Sequence, residues 1–120
     1  MNEPPIAIMR TVPTISLPGK NNKAFLKTIA LMKSGGIPAC YFALSTKPKH
    51  DTLHLYIISG NQAIVRFIIA GYEAGDARKC WDGNTRAPGC WVICTAPELP
   101  RHAPTMRGFR GFRYLTEPLW

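Results

Sequence analysis

Two apolar runs at the centre of the chain, residues 53–59 and 63–72, are joined by Gly60-Asn61. Glycine and asparagine accept the positive φ angles of a tight turn, so the two runs predict a β-hairpin. In the second run, period-two alternation puts Ala63, Val65, Phe67 and Ile69 on one face and Ile64, Arg66, Ile68, Ala70 and Tyr72 on the other. An isolated hairpin is marginal in water, so this one needs further strands or a helix against its apolar side. The flanking sequence predicts both. Residues 40–46 read as a strand closed by the turn signal Lys47-Pro48-Lys49-His50-Asp51. Residues 90–95 and 108–115 read as two more, with Pro97, Pro100 and Pro104 in the connection between them. Residues 73–89, rich in glycine, proline, Asp and Asn, read as a long loop.

One helix is predicted ahead of these strands. Asn21 or Asn22 can cap it by accepting from the amides of the first turn. Phe25, Ile29 and Met32, with Leu26 and Ala30, make an apolar stripe at helical spacing. Gly35-Gly36 stops the helix, with Pro38 just beyond. Residues 1–19 hold four prolines and read as an extended arm with one short edge strand near 10–16. A chain of 120 residues is one domain, 1–120, able to bury roughly two-thirds of its unfolded surface without a metal or disulfide staple. The expected architecture is α+β: a small mixed or antiparallel β-barrel of five to six strands with one or two helices.

Fifteen Lys+Arg against seven Asp+Glu leave a formal charge of +8. Apolar residues make up 46% of the chain, which excludes an intrinsically disordered protein. No apolar run reaches the length of a membrane-spanning helix. Met1-Asn2-Glu3-Pro4-Pro5 lacks the basic and apolar regions of a signal peptide, so a cytoplasmic protein with no membrane partner is expected. A large positive charge on so small a domain points to an anionic partner, nucleic acid above all.

The visible chemistry is sparse. Cys40, Cys80, Cys90 and Cys94 include no C-x2-C pair. Cys90 and Cys94, four apart on a predicted strand, would lie about 13 Å apart, too far to share one zinc ion. No metal and no cofactor are expected. The cysteines read as small apolar residues, with a Cys80–Cys90 disulfide across the long loop as the alternative. His50, His54 and His102 are scattered, and no two acids form an evident general acid/base pair. Asp82 in Cys80-Trp81-Asp82-Gly83-Asn84 reads as a turn former.

The segment Met106-Arg107-Gly108-Phe109-Arg110-Gly111-Phe112-Arg113-Tyr114 is more specific. Residues 100–116 contain four arginines, three aromatic side chains and no acid. Guanidinium groups pair with phosphate in bidentate fashion, and aromatic faces stack on unpaired bases. Strand alternation puts Phe109, Gly111 and Arg113 on one face and Arg110, Phe112 and Tyr114 on the other. The plain alternative is an edge strand with its aromatics in the core and its arginines in water.

Three stretches in this order carry a family resemblance. They are Cys40-Tyr41-Phe42-Ala43-Leu44-Ser45-Thr46-Lys47-Pro48, then 52–71 ending in Val65-Arg66-Phe67-Ile68-Ile69-Ala70-Gly71, then Gly89-Cys90-Trp91-Val92-Ile93 with the proline-rich crossover and the arginine–aromatic ending. Over residues 38–120 the chain resembles the PUA-like superfamily, especially its ASCH and EVE branches. The resemblance implies a pseudo-barrel with a cleft for RNA or DNA, in some members for one modified base. The ASCH signature Gly-x-Lys-x-x-Glu-x-Arg is absent: Gly19-Lys20-Asn21-Asn22-Lys23 has the glycine and lysines but neither Glu nor Arg. The hydrolytic activity of some ASCH members is therefore not carried over by motif.

Three functional readings follow. In the first and favoured one, the protein is a small nucleic-acid-binding module. Arg107, Arg110 and Arg113 meet phosphate, Lys20, Lys23 and Lys47 strengthen the field, and Tyr41, Trp81 and Trp91 stack on or cage a base. Trp91, on a central strand, also reads as a core residue. In the second, the protein is a nucleotide- or nucleoside-processing hydrolase using Lys20, Ser45, Thr46 and Glu73, with the lysine activated by burial. In the third, it is a phage or mobile-element protein whose basic surface engages a host nucleic-acid machine, which makes the partner a protein.

Overall fold

The computed structural model describes residues 4–11, 23–79, 85–109 and 111–120, with the backbone alone at 23–26, 28, 78, 79 and 86. The elements run β1 (Ala7–Thr11), α1 (Lys23–Lys33), β2 (Cys40–Leu44), β3 (His54–Ser59), β4 (Gln62–Ala74), β5 (Arg78–Lys79), β6 (Thr85–Arg86), β7 (Cys90–Glu98) and β8 (Phe112–Leu115). Six strands form one sheet in the order β2-β7-β4-β3-β1-β8, and β5 and β6 pair separately. All pairings in the large sheet are antiparallel except β1 with β3. The result is a small mixed sheet curled into a half-barrel, with one helix among the described residues.

The central hairpin forms where Gly60-Asn61 directs it. Both turn residues have φ of 59°, the two positive angles that match the twist of the flanking strands. The helix stops as its sequence predicts. Gly35 takes φ of +83°, Gly36 N donates to Leu31 O at 2.8 Å and Gly35 N to Met32 O at 3.2 Å, the paired bonds of a Schellman cap. Of the apolar stripe, Ile29 and Met32 enter the core, whereas Ala30 is exposed. Phe25 and Leu26 have no described side chains, and Asn21 and Asn22 lie outside the described residues.

The arm differs from expectation. Its strand lies at Ala7–Thr11 and sits between β3 and β8 rather than at an edge. Ala7, Ile8 and Met9 are buried, so the strand has apolar side chains for both faces of the sheet. The segment read as a long loop also departs: β4 continues to Ala74, and β5 and β6 form a short ladder. β7 continues through Pro97 because a register shift opposite Arg66–Ile68 relieves the ladder at that point. Ala96 adopts φ of 48° there, a left-handed value unusual for alanine.

Two irregularities overturn the uniform alternation read along 63–72. Ile57 pairs with Val65 but Ile58 with Ala63, so Ile64 is the extra residue of a bulge. Val65 therefore joins the concave core with Ile57, and Ala63 joins the convex cluster with Ile58. A second shift, between Ile69 and Gly71, lets both Ile69 and Tyr72 pack on the concave core. The same shifts bend the sheet. The first half of β4 pairs with β3 and the second half with β7, so this 13-residue strand forms the corner. Phe42, Leu44, Leu55, Ile57, Phe67 and Val92 fill the concave side, with Ile29 and Met32 of α1 against them. On the convex side, Met106, Phe109, Leu119 and Trp120 cover Met9, Tyr56 and Ile58.

Candidate nucleic-acid interface

β8 is an edge strand whose register opposes Met9 to Arg113 and Ile8 to Tyr114. Alternation turns Phe112 and Tyr114 toward the concave core and leaves Arg113 exposed on the convex side. The chain leading to β8 is laid over that side by named bonds. Ala63 N donates to Pro104 O and Met106 N to Asn61 O, both at 2.9 Å, which ties it to the tip of the central hairpin. Phe109 N donates to Thr11 Oγ1 at 3.0 Å, which ties it to the end of β1. Phe109 thereby packs into the convex cluster, and the Arg113 guanidinium carbon lies 4.7 Å from its ring centroid. Arg107 is exposed two residues before Phe109. Phe109 and Arg113 do meet on the convex side, but not by the strand alternation expected over 108–115: β8 begins only at Phe112, and Gly111 before it takes φ of 71°.

The loop after β2 docks on the same strand from the concave side. Tyr114 Oη accepts from Lys49 N at 2.9 Å and from His50 N at 3.3 Å, and the His50 ring stands edge-on to Tyr114 with centroids 5.1 Å apart. Lys47 and Lys49 are exposed on this loop. The Lys47 ammonium sits 5.7 Å from the Tyr72 ring centroid.

The remaining sequence-derived residues are placed differently. Trp91 is fully buried, and its indole N–H donates to Asp76 O at 2.7 Å. That leaves no exposed ring face for a base, so its core reading describes it. Tyr41 is half-buried with its ring edge-on to Trp91, centroids 6.4 Å apart. Both stand on β2 and β7, at the far end of the strand order from β8. Ser45 and Thr46 are exposed just beyond β2, and Glu73 on β4 pairs in register with Trp91 on β7, so β7 separates Glu73 from β2. Lys20, Trp81 and Arg110 lie outside the described residues. Lys23 begins α1, and its side chain is not described.

A charged cluster on β3, β4 and β7 escaped the sequence reading. Arg66 forms an ion pair with Glu98 across β4 and β7, and also donates to Trp120 O. Tyr56 Oη donates to the same oxygen at 3.0 Å and accepts from Leu119 N at 3.2 Å. The Trp120 ring stands edge-on to Tyr56 with centroids 4.9 Å apart. Arg66 and Tyr56 thus clamp residues 119–120 on the convex face. Beside them a cleft of about 500 Å³ is lined by Lys33, His54, Arg66, Ile68, Pro97 and Glu98, among others. Burial, and then the positive charge of Arg66, holds His54 below its ordinary pKa. The signal for the clamp was a lone arginine inside Val65-Arg66-Phe67, since a charge on a half-buried strand needs a partner.

Comparison with known families, curated proteins and solved structures finds no match to this chain. Among the described residues, no helix is long and apolar enough to cross a membrane.

Proposed function

We propose that this protein is a small nucleic-acid-binding module whose contact surface is the ridge Arg107–Phe109–Arg113 on the convex side of β8. The observation that carries the reading is the exposed Arg113 guanidinium stacked over Phe109, beside exposed Arg107, in a chain of net charge +8. A guanidinium over an aromatic face makes no hydrogen bond to the ring edge and keeps its N–H donors for phosphate oxygens, which it can meet in pairs. Exposed Lys47 and Lys49, on the loop that meets β8 from the concave side, add to the net positive charge but not to the ridge itself.

The test is fluorescence anisotropy with labelled single-stranded and duplex RNA and DNA, from about 50 to about 200 mM salt. The log of the association constant should fall linearly with log salt, and Arg113→Ala and Arg107→Ala should each weaken binding and flatten that slope by about one. Binding that ignores salt, or that both variants leave unchanged, overturns the proposal.

A further inference from the structure

Cys40 and Cys94 are directly opposite each other in the antiparallel pairing of β2 with β7. Both side chains belong to the concave core, so they leave the sheet on the same face. Both are thiols, and they are 6% and 0% exposed. Opposed residues of an antiparallel pair have Cα atoms about 4.5–5.5 Å apart. A disulfide requires about 4.4–6.8 Å between Cα atoms with the two Cβ atoms on one side, and directly opposed residues of an antiparallel pair fall in that range. Cys90, also a thiol, lies opposite Leu44 and four residues along β7 from Cys94. At about 3.3 Å per residue it is too far from Cys40 to compete.

We infer that Cys40 and Cys94 form a redox-sensitive dithiol that closes to a cross-strand disulfide when the protein meets a low-molecular-weight disulfide. Cys40 is the partner that reacts first because it is the less buried of the two, 6% exposed against 0%, and begins β2, an edge strand that opens more readily than the sheet interior. Its thiolate attacks one sulfur of the small disulfide. A mixed disulfide forms on Cys40 and the first small thiolate leaves, taking up a proton. The Cys94 thiolate then attacks Cys40 Sγ, the Cys40–Cys94 bond forms and the second small thiolate departs. The two protein thiols are oxidised and the one small disulfide is reduced to two thiols. Burial pushes the Cys94 thiol up, so this second step is the slow one. In a reducing compartment such bonds are transient and serve sensing rather than construction. Closure staples the edge strand to the rest of the sheet.

The experiment incubates the folded, full-length protein with glutathione disulfide, alkylates the remaining thiols after denaturation, and maps the linkages by mass spectrometry of an unreduced digest. The expected result is a Cys40–Cys94 linked peptide that dithiothreitol removes. Cys40→Ala should abolish it and leave at most a mixed disulfide. A Cys80→Ala/Cys90→Ala double variant, which keeps the proposed pair, should form it at the wild-type rate. Alkylation of both Cys40 and Cys94 after oxidation overturns the inference, as does linkage of either to Cys80 or Cys90. Loss of the link in the double variant, with its native circular dichroism retained, also overturns it.

Discussion

The Arg10 Nε–H donates to the carbonyl oxygen of Ala43 at 2.7 Å, although β3, β4 and β7 stand between their two strands in the sheet. That contact is the seam of the half-barrel. The bulged corner in β4 brings β2 back toward β1, and the guanidinium satisfies a carbonyl of edge strand β2. Tyr114 closes the adjoining stretch by receiving two amides of the 45–53 loop. Edge strands left uncovered invite pairing between molecules, so the seam also blunts β2 as a template.

Replacing Arg10 with methionine keeps most of its apolar stem and removes the donor. A hydrogen bond from a charged group contributes about 1.5–3 kcal/mol, and Arg10→Met should destabilise the fold by that order in urea unfolding. Amide exchange in β2 should accelerate more than in β3, since only the first of these strands loses its outer contact.

Tyr114→Phe keeps the ring that packs on the concave core and deletes the acceptor for Lys49 N and His50 N. The expected cost is about 0.5–1.5 kcal/mol for each bond lost. The sharper readout is hydrogen exchange, in which the Lys49 and His50 amides should lose protection while those of β4 do not.

Trp91 is predicted to act through packing. Trp91→Ala should cost about 3–5 kcal/mol, the range for deleting a large buried aromatic. Trp91→Phe should cost less, because a phenyl ring still fills much of the site, although part of the indole volume and the bond to Asp76 O are lost. Provided both variants remain folded, nucleic-acid affinity per folded molecule should not change. A selective loss of affinity in Trp91→Phe would return this residue to the interface.

His54 imposes a pH dependence on stability. Its pKa lies below the ordinary 6.5 in the folded protein, by burial first and the Arg66 charge second. The unfolded chain therefore binds the proton more tightly, and stability rises with pH through this window. The contribution is fully present above about pH 6.5 and is lost as pH falls through the unfolded value toward the folded one. His54→Gln should flatten the stability profile between about pH 5 and 7. An unchanged slope would show that His54 does not carry it.

The local devices were legible in the sequence. Gly60-Asn61 set a turn with two positive φ angles, and Gly35-Gly36 closed the helix with the expected cap. Both depend on backbone energetics within a few residues. The strands of the arginine–aromatic segment and of Cys40, Trp91 and the central hairpin were also readable as apolar or alternating runs. Their ends were less so, since β4 and β7 outlast their apolar runs through pairing with each other.

Amino-acid sequence by itself determined the basic charge, the helix ending at Gly35-Gly36 and the β-rich character, whereas the bonds of the 104–109 segment to β1 and the central hairpin brought Phe109 under Arg113. Tertiary structure alone decided that β1 lies inside the sheet, parallel to β3, and that two bulges reverse the side-chain faces along β4. It alone coupled Arg66 to Glu98 and Trp120 and set Cys40 opposite Cys94, while the burial of Trp91 agrees with its core reading. The physical reason is range. A turn or a cap is favoured by its own residues, whereas a strand's neighbour, register and bulges are chosen by packing across the whole sheet.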